Sequence, residues 1–299
     1  MNYTTLISVD QLQALISSGQ PLRVFDCSFD LMQPHAGQEQ YLSSHIPGAI
    51  YAHLDTALSA RHGVPGAHGV MTASGADTPA SGGRHPLPNR ERFATWLSSV
   101  GFANDMQAVV YDRNGSNYCG SLWWMLKWAG HNEVALLDGG LQAWQAASGA
   151  INSGEEPAHF QTNFMLAPAL VTLVDGQTVA GQLGRPTQTL IDARATSRFK
   201  GDVEPMDPVA GHIPGALNRP FNQNLTPEGL FKPAEQLKTE FAALLGGRDP
   251  ATVVHHCGSG VSALPNLIAM EVAGFGRTAL YAGSWSDWCS DSTRPVAQG

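Results

Sequence analysis

Charge and long apolar runs are what this 299-residue chain has least of. Asp, Glu, Lys and Arg make up 14% of it, with a net charge of −8. An acidic balance of that kind disfavours sequence-independent binding to nucleic acid or acidic membranes, while leaving room for a local basic pocket that takes a small anion. No apolar run reaches the roughly 18 residues of a membrane span. The first twenty residues, MNYTTLISVDQLQALISSGQ, lack the basic-then-apolar pattern of a secretory signal. A soluble, cytoplasmic protein without nucleic-acid or membrane partners is expected. Cysteine is scarce too: Cys27, Cys119, Cys257 and Cys289 are far apart with no CxxC pair. That spacing argues against a disulfide framework and against a structural zinc site, so reduced thiols are expected, with no metal and no cofactor.

What is present is enough apolar residue, 43%, to build two cores of ordinary size, and a repeat. HIPGAI at 45 to 50 returns as HIPGAL at 212 to 217, and VFDCS at 24 to 28 matches LIDAR at 190 to 194. From Val109 onward the offset settles at 144, pairing Gly130 with Gly274, Leu136 with Leu280 and Trp144 with Trp288. The drop from offsets of 166 and 167 places about 22 extra residues in the first half, within RHGVPGAHGVMTASGADTPASGGRHPLP, residues 61 to 88. Their Gly, Pro, Ala and Ser content reads as a long surface loop. Two domains, 1 to 148 and 169 to 299, joined by a linker at 149 to 168, are expected.

In the second half, short apolar runs at 188 to 192, 252 to 256 and 278 to 282 read as buried strands. Amphipathic segments at 233 to 246 and 262 to 274, each ended by glycine, read as helices. Pro265 fits a first helical turn, where its missing N–H breaks no bond. Alternating strands and helices predict an α/β domain with a central, mainly parallel sheet. Ligands of such sheets gather at the carboxyl ends of strands, and Cys257 follows one.

The stretch VVHHCGSGVSALPNL sets one thiol in a glycine-rich turn before a helix that begins near Val261. A thiol is nucleophilic as its anion. Gly258 and Gly260 allow the N–H groups of Gly258, Gly260, Val261 and Ser262 to form an anion-binding nest, with Ser259 and Ser262 adding hydroxyls. A cysteine-dependent phosphatase needs an arginine six positions after the cysteine, where Ala263 stands. A dithiol oxidoreductase needs a second cysteine about three positions on, where Gly260 stands. A lone cysteine in a tight loop without an arginine clamp suits carrying one sulfur atom as a persulfide. His255, His256 and Cys257 are consecutive, so they point to alternate faces and cannot share one metal ion. Both histidines read as buried or pocket-lining.

CGSGVSA, the paired HIPGA segments, LLDGGLQAW and its echo LYAGSWSDW together resemble a two-domain rhodanese-type sulfurtransferase, over nearly the whole chain. The resemblance implies two tandem rhodanese-like α/β domains, each a central parallel sheet flanked by helices. It implies that only the second is catalytic, in keeping with Arg113 at the place equivalent to Cys257. Members using thiosulfate commonly have CRKGVT; members using 3-mercaptopyruvate have CGSGVT, close to CGSGVS here, so 3-mercaptopyruvate is the favoured donor and thiosulfate the alternative. Sulfur would pass through a Cys257 persulfide to a thiol, such as thioredoxin or glutathione, or to cyanide. A persulfide carrier serving a protein partner is the remaining alternative. By the same resemblance, Arg198 in SRF binds the donor carboxylate, and Ser259 and His45 join a relay with an acid, for which Asp30 and Glu39 are nearby. A second arginine is expected in VEPMDP, 203 to 208, and none is there; Arg219 is the proposed substitute. Cys27, Cys119 and Cys289 read as structural, Trp123, Trp124 and Trp128 as core, Trp285 and Trp288 as core or cleft wall, and Arg194 as either a fold-supporting salt bridge or a site residue.

Overall fold

The computed structural model describes residues 2 to 60 and 78 to 299. The chain divides into two compact units. The first comprises Met1–Thr78, Pro88–Leu170 and Pro227–Leu230; the second comprises Pro79–Leu87, Val171–Thr226 and Phe231–Gly299.

In the first unit the elements run β1 (Leu6–Ile7), α1 (Val9–Ser17), β2 (Leu22–Asp26), α2 (Ala36–Ser43), β3 (Ile50–Tyr51), α3 (Arg90–Ser99), β4 (Gln107–Tyr111), α4 (Cys119–Trp128), β5 (Val134–Leu137) and α5 (Gly140–Ala146). The second unit runs β6 (Thr172–Val174), α6 (Gly176–Gly181), β7 (Thr189–Asp192), α7 (Thr196–Lys200), β8 (Leu217–Asn218), α8 (Ala234–Leu245), β9 (Val253–His256), α9 (Leu264–Val272), β10 (Ala279–Tyr281) and α10 (Ser284–Trp288). The sheets have the same order, β1-β5-β4-β2-β3 and β6-β10-β9-β7-β8. Every named strand pairing is parallel. The chain adopts the expected α/β architecture with a central parallel sheet in each unit, and each sheet has five strands.

The central strands are buried on both faces, which is why β4 (QAVVY) and β9 (VVHH) lack polar alternation. In the second unit β9 lies between β7 and β10, with Ile191 and Leu280 both in register with His255. Its carboxyl end therefore opens at the middle of the sheet edge, where residue 257 leaves the strand. Trp285, Trp288, Leu190, Val254 and Ile213 pack one core of that unit.

Local signals account for the helix limits. Ser8 and Gln11 form a reciprocal capping box at α1. α8 ends on Gly246 at φ +56°, a left-handed cap that glycine takes without penalty. Pro265 lies in the first turn of α9, as its missing N–H requires. This helix starts at Leu264 rather than near Val261, so the turn after Cys257 is longer and non-helical throughout.

Only part of the 61 to 88 stretch, expected as a surface loop, is described. Residues 61 to 77 lie outside the described residues, but 79 to 87 form a turn packed into the second unit, with Ala80 N–H donating to Leu87 O and Leu87 N–H to Ser81 Oγ. Residues 149 to 168 pack on the first unit, where Thr162 N–H donates to Ser98 O and Ala167 N–H to Ala129 O. No helix among the described residues is long and apolar enough to cross a membrane.

Candidate active site

The turn from Cys257 to Ala263 is held from one side by α10. Cys257 O accepts the N–H of Trp285 at 3.0 Å, and Gly258 O accepts that of Ser286 at 2.9 Å. Because C=O and N–H of a trans peptide point in opposite directions, the N–H groups of Gly258 and Ser259 face away from α10. None of the backbone N–H groups of Gly258 to Ser262 has an acceptor among the described residues. Unpaired buried amides in a row are costly unless an anion meets them. Cys257 N–H is accounted for, donating to Ser284 Oγ at 3.0 Å. Gly260 sits at φ +85°, and a Cβ there would lie 2.4 Å from Ala282 O, so both the backbone angle and the close approach exclude a side chain. The Cys257 side chain is nearly enclosed, at 2% exposure.

Ser259 Oγ lies 2.7 Å from Nδ1 of His85, and both residues are buried. His85 arrives on the 79 to 87 turn, which docks on α10 through two glycines. A Cβ on Gly82 would lie 2.2 Å from Asp287 Oδ1, and one on Gly83, at φ +86°, 2.5 Å from Gly283 O. Arg84 N–H then donates to Ser286 Oγ at 3.0 Å, the same serine whose own N–H holds Gly258 O.

Two guanidinium groups crowd Gly258. A Cβ there would be 3.1 Å from Arg84 Nη2 and 3.5 Å from Arg198 Nη1. Neither nitrogen has an acceptor among the described residues. Each guanidinium is anchored through another nitrogen: Arg84 Nη1 pairs with Asp207 Oδ1, Arg198 Nη2 with Glu204 Oε1 at 2.6 Å and Asp207 Oδ2 at 3.2 Å. Burial opposes charge on Glu204, but hydrogen bonds from Arg198 and from the Met206 N–H hold its carboxyl below the usual range. Burial lifts Asp207 above its usual range, and the nearby Glu204 carboxylate adds to this in spite of Arg84 and Arg198.

Beneath the turn, His255 and His256 are fully buried, on opposite faces of β9. Burial drives His255 down to about 3 and also lowers His256, against the pull of Asp192, whose Oδ2 is 3.9 Å from His256 Nδ1. No ring nitrogen of either histidine has a hydrogen-bond partner among the described residues. Among the described residues, no group of three His, Cys, Asp or Glu could hold a metal ion.

Two expected site residues are committed to contacts of their own within the fold. His45 is buried inside the first unit with Nδ1 2.7 Å from Tyr41 O and Nε2 3.0 Å from Glu156 Oε1, stacked on the Tyr41 ring. Both nitrogens are committed to holding the HIPGA turn, so the relay role expected of His45 is corrected to a structural one; its acid is Glu156, not Asp30 or Glu39. Arg219, the expected second donor-binding cation, is also structural. Its Nε donates to Asn224 Oδ1 at 2.8 Å, its Nη2 to Glu240 Oε2 at 2.7 Å, and its head lies 4.3 Å over Phe241. Arg194 supports the fold, pairing with Asp192 at 2.7 Å and Glu204 at 3.3 Å. Cys257, Gly258, Ser259, Gly260, Val261, Ser262 and Arg198 are brought together. Arg84 and His85 carry no repeat signal, because their segment has no mate in the second half of the chain. The signal was there in GGRHPLP: two adjacent glycines before an arginine and a histidine, inserted in one copy only.

The equivalent turn of the first unit is filled from within. Asp112 occupies the place of His256, and its Oδ1 accepts the N–H groups of Asn114 and Ser116, its Oδ2 those of Tyr118 and Cys119, all at 2.8 to 2.9 Å. Arg113, in place of the cysteine, turns to Asp26 Oδ2 at 2.9 Å and Ser28 Oγ at 2.8 Å.

A family model described as the rhodanese-like domain matches residues 8–147 and 176–291. The chain is 45% identical over 303 residues to a Pseudomonas aeruginosa protein named "Probable 3-mercaptopyruvate sulfurtransferase", covering 100% of both. It is 31% identical over 320 residues to Arabidopsis thaliana thiosulfate/3-mercaptopyruvate sulfurtransferase 1, mitochondrial, covering 97% of this chain and 77% of that one. The crystal structure of SseA from Escherichia coli, described as a 3-mercaptopyruvate sulfotransferase, superposes with a TM-score of 0.75 at 29% identity, covering 95% of this chain and 100% of that one.

Proposed function

Since the chain belongs to the rhodanese family, we propose that it is a sulfurtransferase that moves one sulfur from 3-mercaptopyruvate, through a persulfide on Cys257, to a thiol or to cyanide. The observation that carries this reading is the pair of unengaged guanidinium nitrogens, Arg84 Nη2 and Arg198 Nη1, beside Gly258 and next to Cys257. They offer two hydrogen bonds to the donor carboxylate, while its sulfur meets the cysteine.

In the first displacement the Cys257 thiolate attacks the donor sulfur. A Cys–S–S bond forms and the donor C–S bond breaks, its electron pair going to the carbon that becomes the methyl group of pyruvate. The proton of the donor S–H passes by way of Ser259 and His85 to that carbon, leaving a persulfide anion for the N–H groups of Gly258 to Ser262. In the second displacement an acceptor thiolate or cyanide attacks the outer sulfur and Cys257 leaves as thiolate. The same turn thus holds the anion in both halves of the cycle. The second unit, with residues 79 to 87, carries this chemistry and the first unit is silent. A reducing cytoplasm suits the four free cysteines.

Thiosulfate is the second reading, since its sulfonate oxygens can accept from the same two guanidinium nitrogens, Arg84 Nη2 and Arg198 Nη1. Intact-mass spectrometry after exposure to each donor without acceptor tests both. A gain of one sulfur, absent in Cys257→Ser, is expected with mercaptopyruvate; no gain with either donor would remove the reading.

A further inference from the structure

We propose that Asp207 is a positioning residue that sets donor selectivity: it seats Arg84 beside Arg198 and cancels part of their charge, so the pair receives a monoanionic carboxylate in preference to a dianion. This rests on the sulfur-transfer reading above. The segment where the family resemblance leads one to expect an arginine, VEPMDP, carries carboxylates instead, and one of them recruits its arginine from the insertion. The Asp207 side chain is 4% exposed, with one oxygen on Arg84 Nη1 and the other 3.2 Å from Arg198 Nη2. Arg198 has a second anchor in Glu204, through Nε at 3.2 Å and Nη2 at 2.6 Å. For the Arg84 guanidinium, Asp207 is the one acceptor among the described residues. Losing that carboxylate would release Arg84 and leave Arg198 in place.

Charge balance at the turn adds a second effect. Around the turn, Arg84, Arg198 and Arg194 face Asp207, Glu204 and Asp192, three of each sign, linked by the ion pairs already described. A balanced cluster offers directed hydrogen bonds but little net attraction, so the second negative charge of thiosulfate gains almost nothing over the single charge of mercaptopyruvate. Removing one carboxylate shifts the cluster by one positive charge, and the gain is doubled for a dianion. The two donors then move in opposite directions. Mercaptopyruvate loses the ordered Arg84, while thiosulfate gains potential.

The test is steady-state kinetics with both donors and one common acceptor, on Asp207→Asn, Asp207→Glu and Arg84→Gln. In Asp207→Asn the KM for mercaptopyruvate should rise about tenfold with kcat within about twofold, and the ratio of thiosulfate to mercaptopyruvate kcat/KM should rise about tenfold. Asp207→Glu, which keeps the charge, should return that ratio to within about threefold of the parent. Arg84→Gln should lower the ratio, because it removes a positive charge instead of a negative one. A purely structural role for Asp207 would depress both donors in parallel and leave the ratio fixed, which would overturn the proposal. If Asp207→Asn does not fold, a ratio that fails to fall in Arg84→Gln overturns it equally. A parent protein inactive with both donors would remove the sulfur-transfer reading and the proposal with it; an active parent with unmoved ratios removes the proposal alone.

Discussion

His85 Nδ1 lies 2.7 Å from Ser259 Oγ although the two residues are 174 positions apart in the chain. The insertion in the first half of the sequence therefore serves the second, delivering an imidazole to the hydroxyl two residues after Cys257. If that pair moves the proton in the first displacement, His85→Asn should lower kcat with mercaptopyruvate by about 10² or more and leave KM within a few fold. Donor-saturation curves measure this. A kcat within twofold of the parent would assign the pair to holding the turn.

Arg84→Ala and Arg198→Ala should each raise the mercaptopyruvate KM about tenfold or more, since a charge-assisted hydrogen bond contributes about 1.5–3 kcal/mol. Arg219→Ala should leave KM where it is. Its loss leaves Glu240 with Lys232 and Gln236 alone, takes the Nε donor from buried Asn224 Oδ1 and uncovers Phe241, so stability should fall by about 2 kcal/mol in urea denaturation. A raised KM in Arg219→Ala would contradict the position its guanidinium occupies.

Stability should decline on the acid side of neutrality because of His255. Its folded value, pushed down by burial to about 3, lies below the ordinary 6.5, so between those limits the unfolded chain binds a proton that the folded chain does not. Stability contributed by the neutral ring is complete above 6.5 and falls as pH drops toward 3, by about 1.4 kcal/mol per unit. His256, lowered in the same direction, adds to the slope. Urea midpoints at pH 7 and pH 5 should differ accordingly, and His255→Met should flatten the difference. Equal pH dependence in that variant would mean another group governs acid unfolding.

Asp112→Asn should cost about 1–3 kcal/mol, because the buried carboxylate accepts four backbone N–H groups and an amide has only one oxygen to offer. Sulfur transfer at saturating donor should be unchanged. A parallel loss of kcat in folded Asp112→Asn would show that the first unit takes part in turnover.

The parts of this architecture that follow from local chemistry could be read from the chain. Strand runs such as TVVHH, the proline of α9 and the glycine that ends α8 each report a backbone requirement of their own position. The cysteine turn was legible for the same reason, as was Arg198 through its motif. Arg84 and His85 were not, because what places them is a contact made by absent side chains: Gly82 and Gly83 carry no chemistry, and their meaning lies in the space they leave for Asp287 and Gly283. His45 misled in the opposite direction. A histidine in a repeated motif fits a catalytic role as readily as a structural one until the partners of both its nitrogens are seen. Arg219 failed likewise, since nothing in GALNRPF indicates that Glu240 and Asn224 will be waiting for it.

The carboxylate of Asp112 also says what it would take to wake the first unit. A thiol grafted at Arg113 would arrive at a cradle whose seat is already taken, by a tenant bonded to the same chain and impossible to wash out. Reviving that copy demands an eviction before any cargo can be loaded. Of two matching cradles, one keeps its amides bare and the other is packed shut with its own chain.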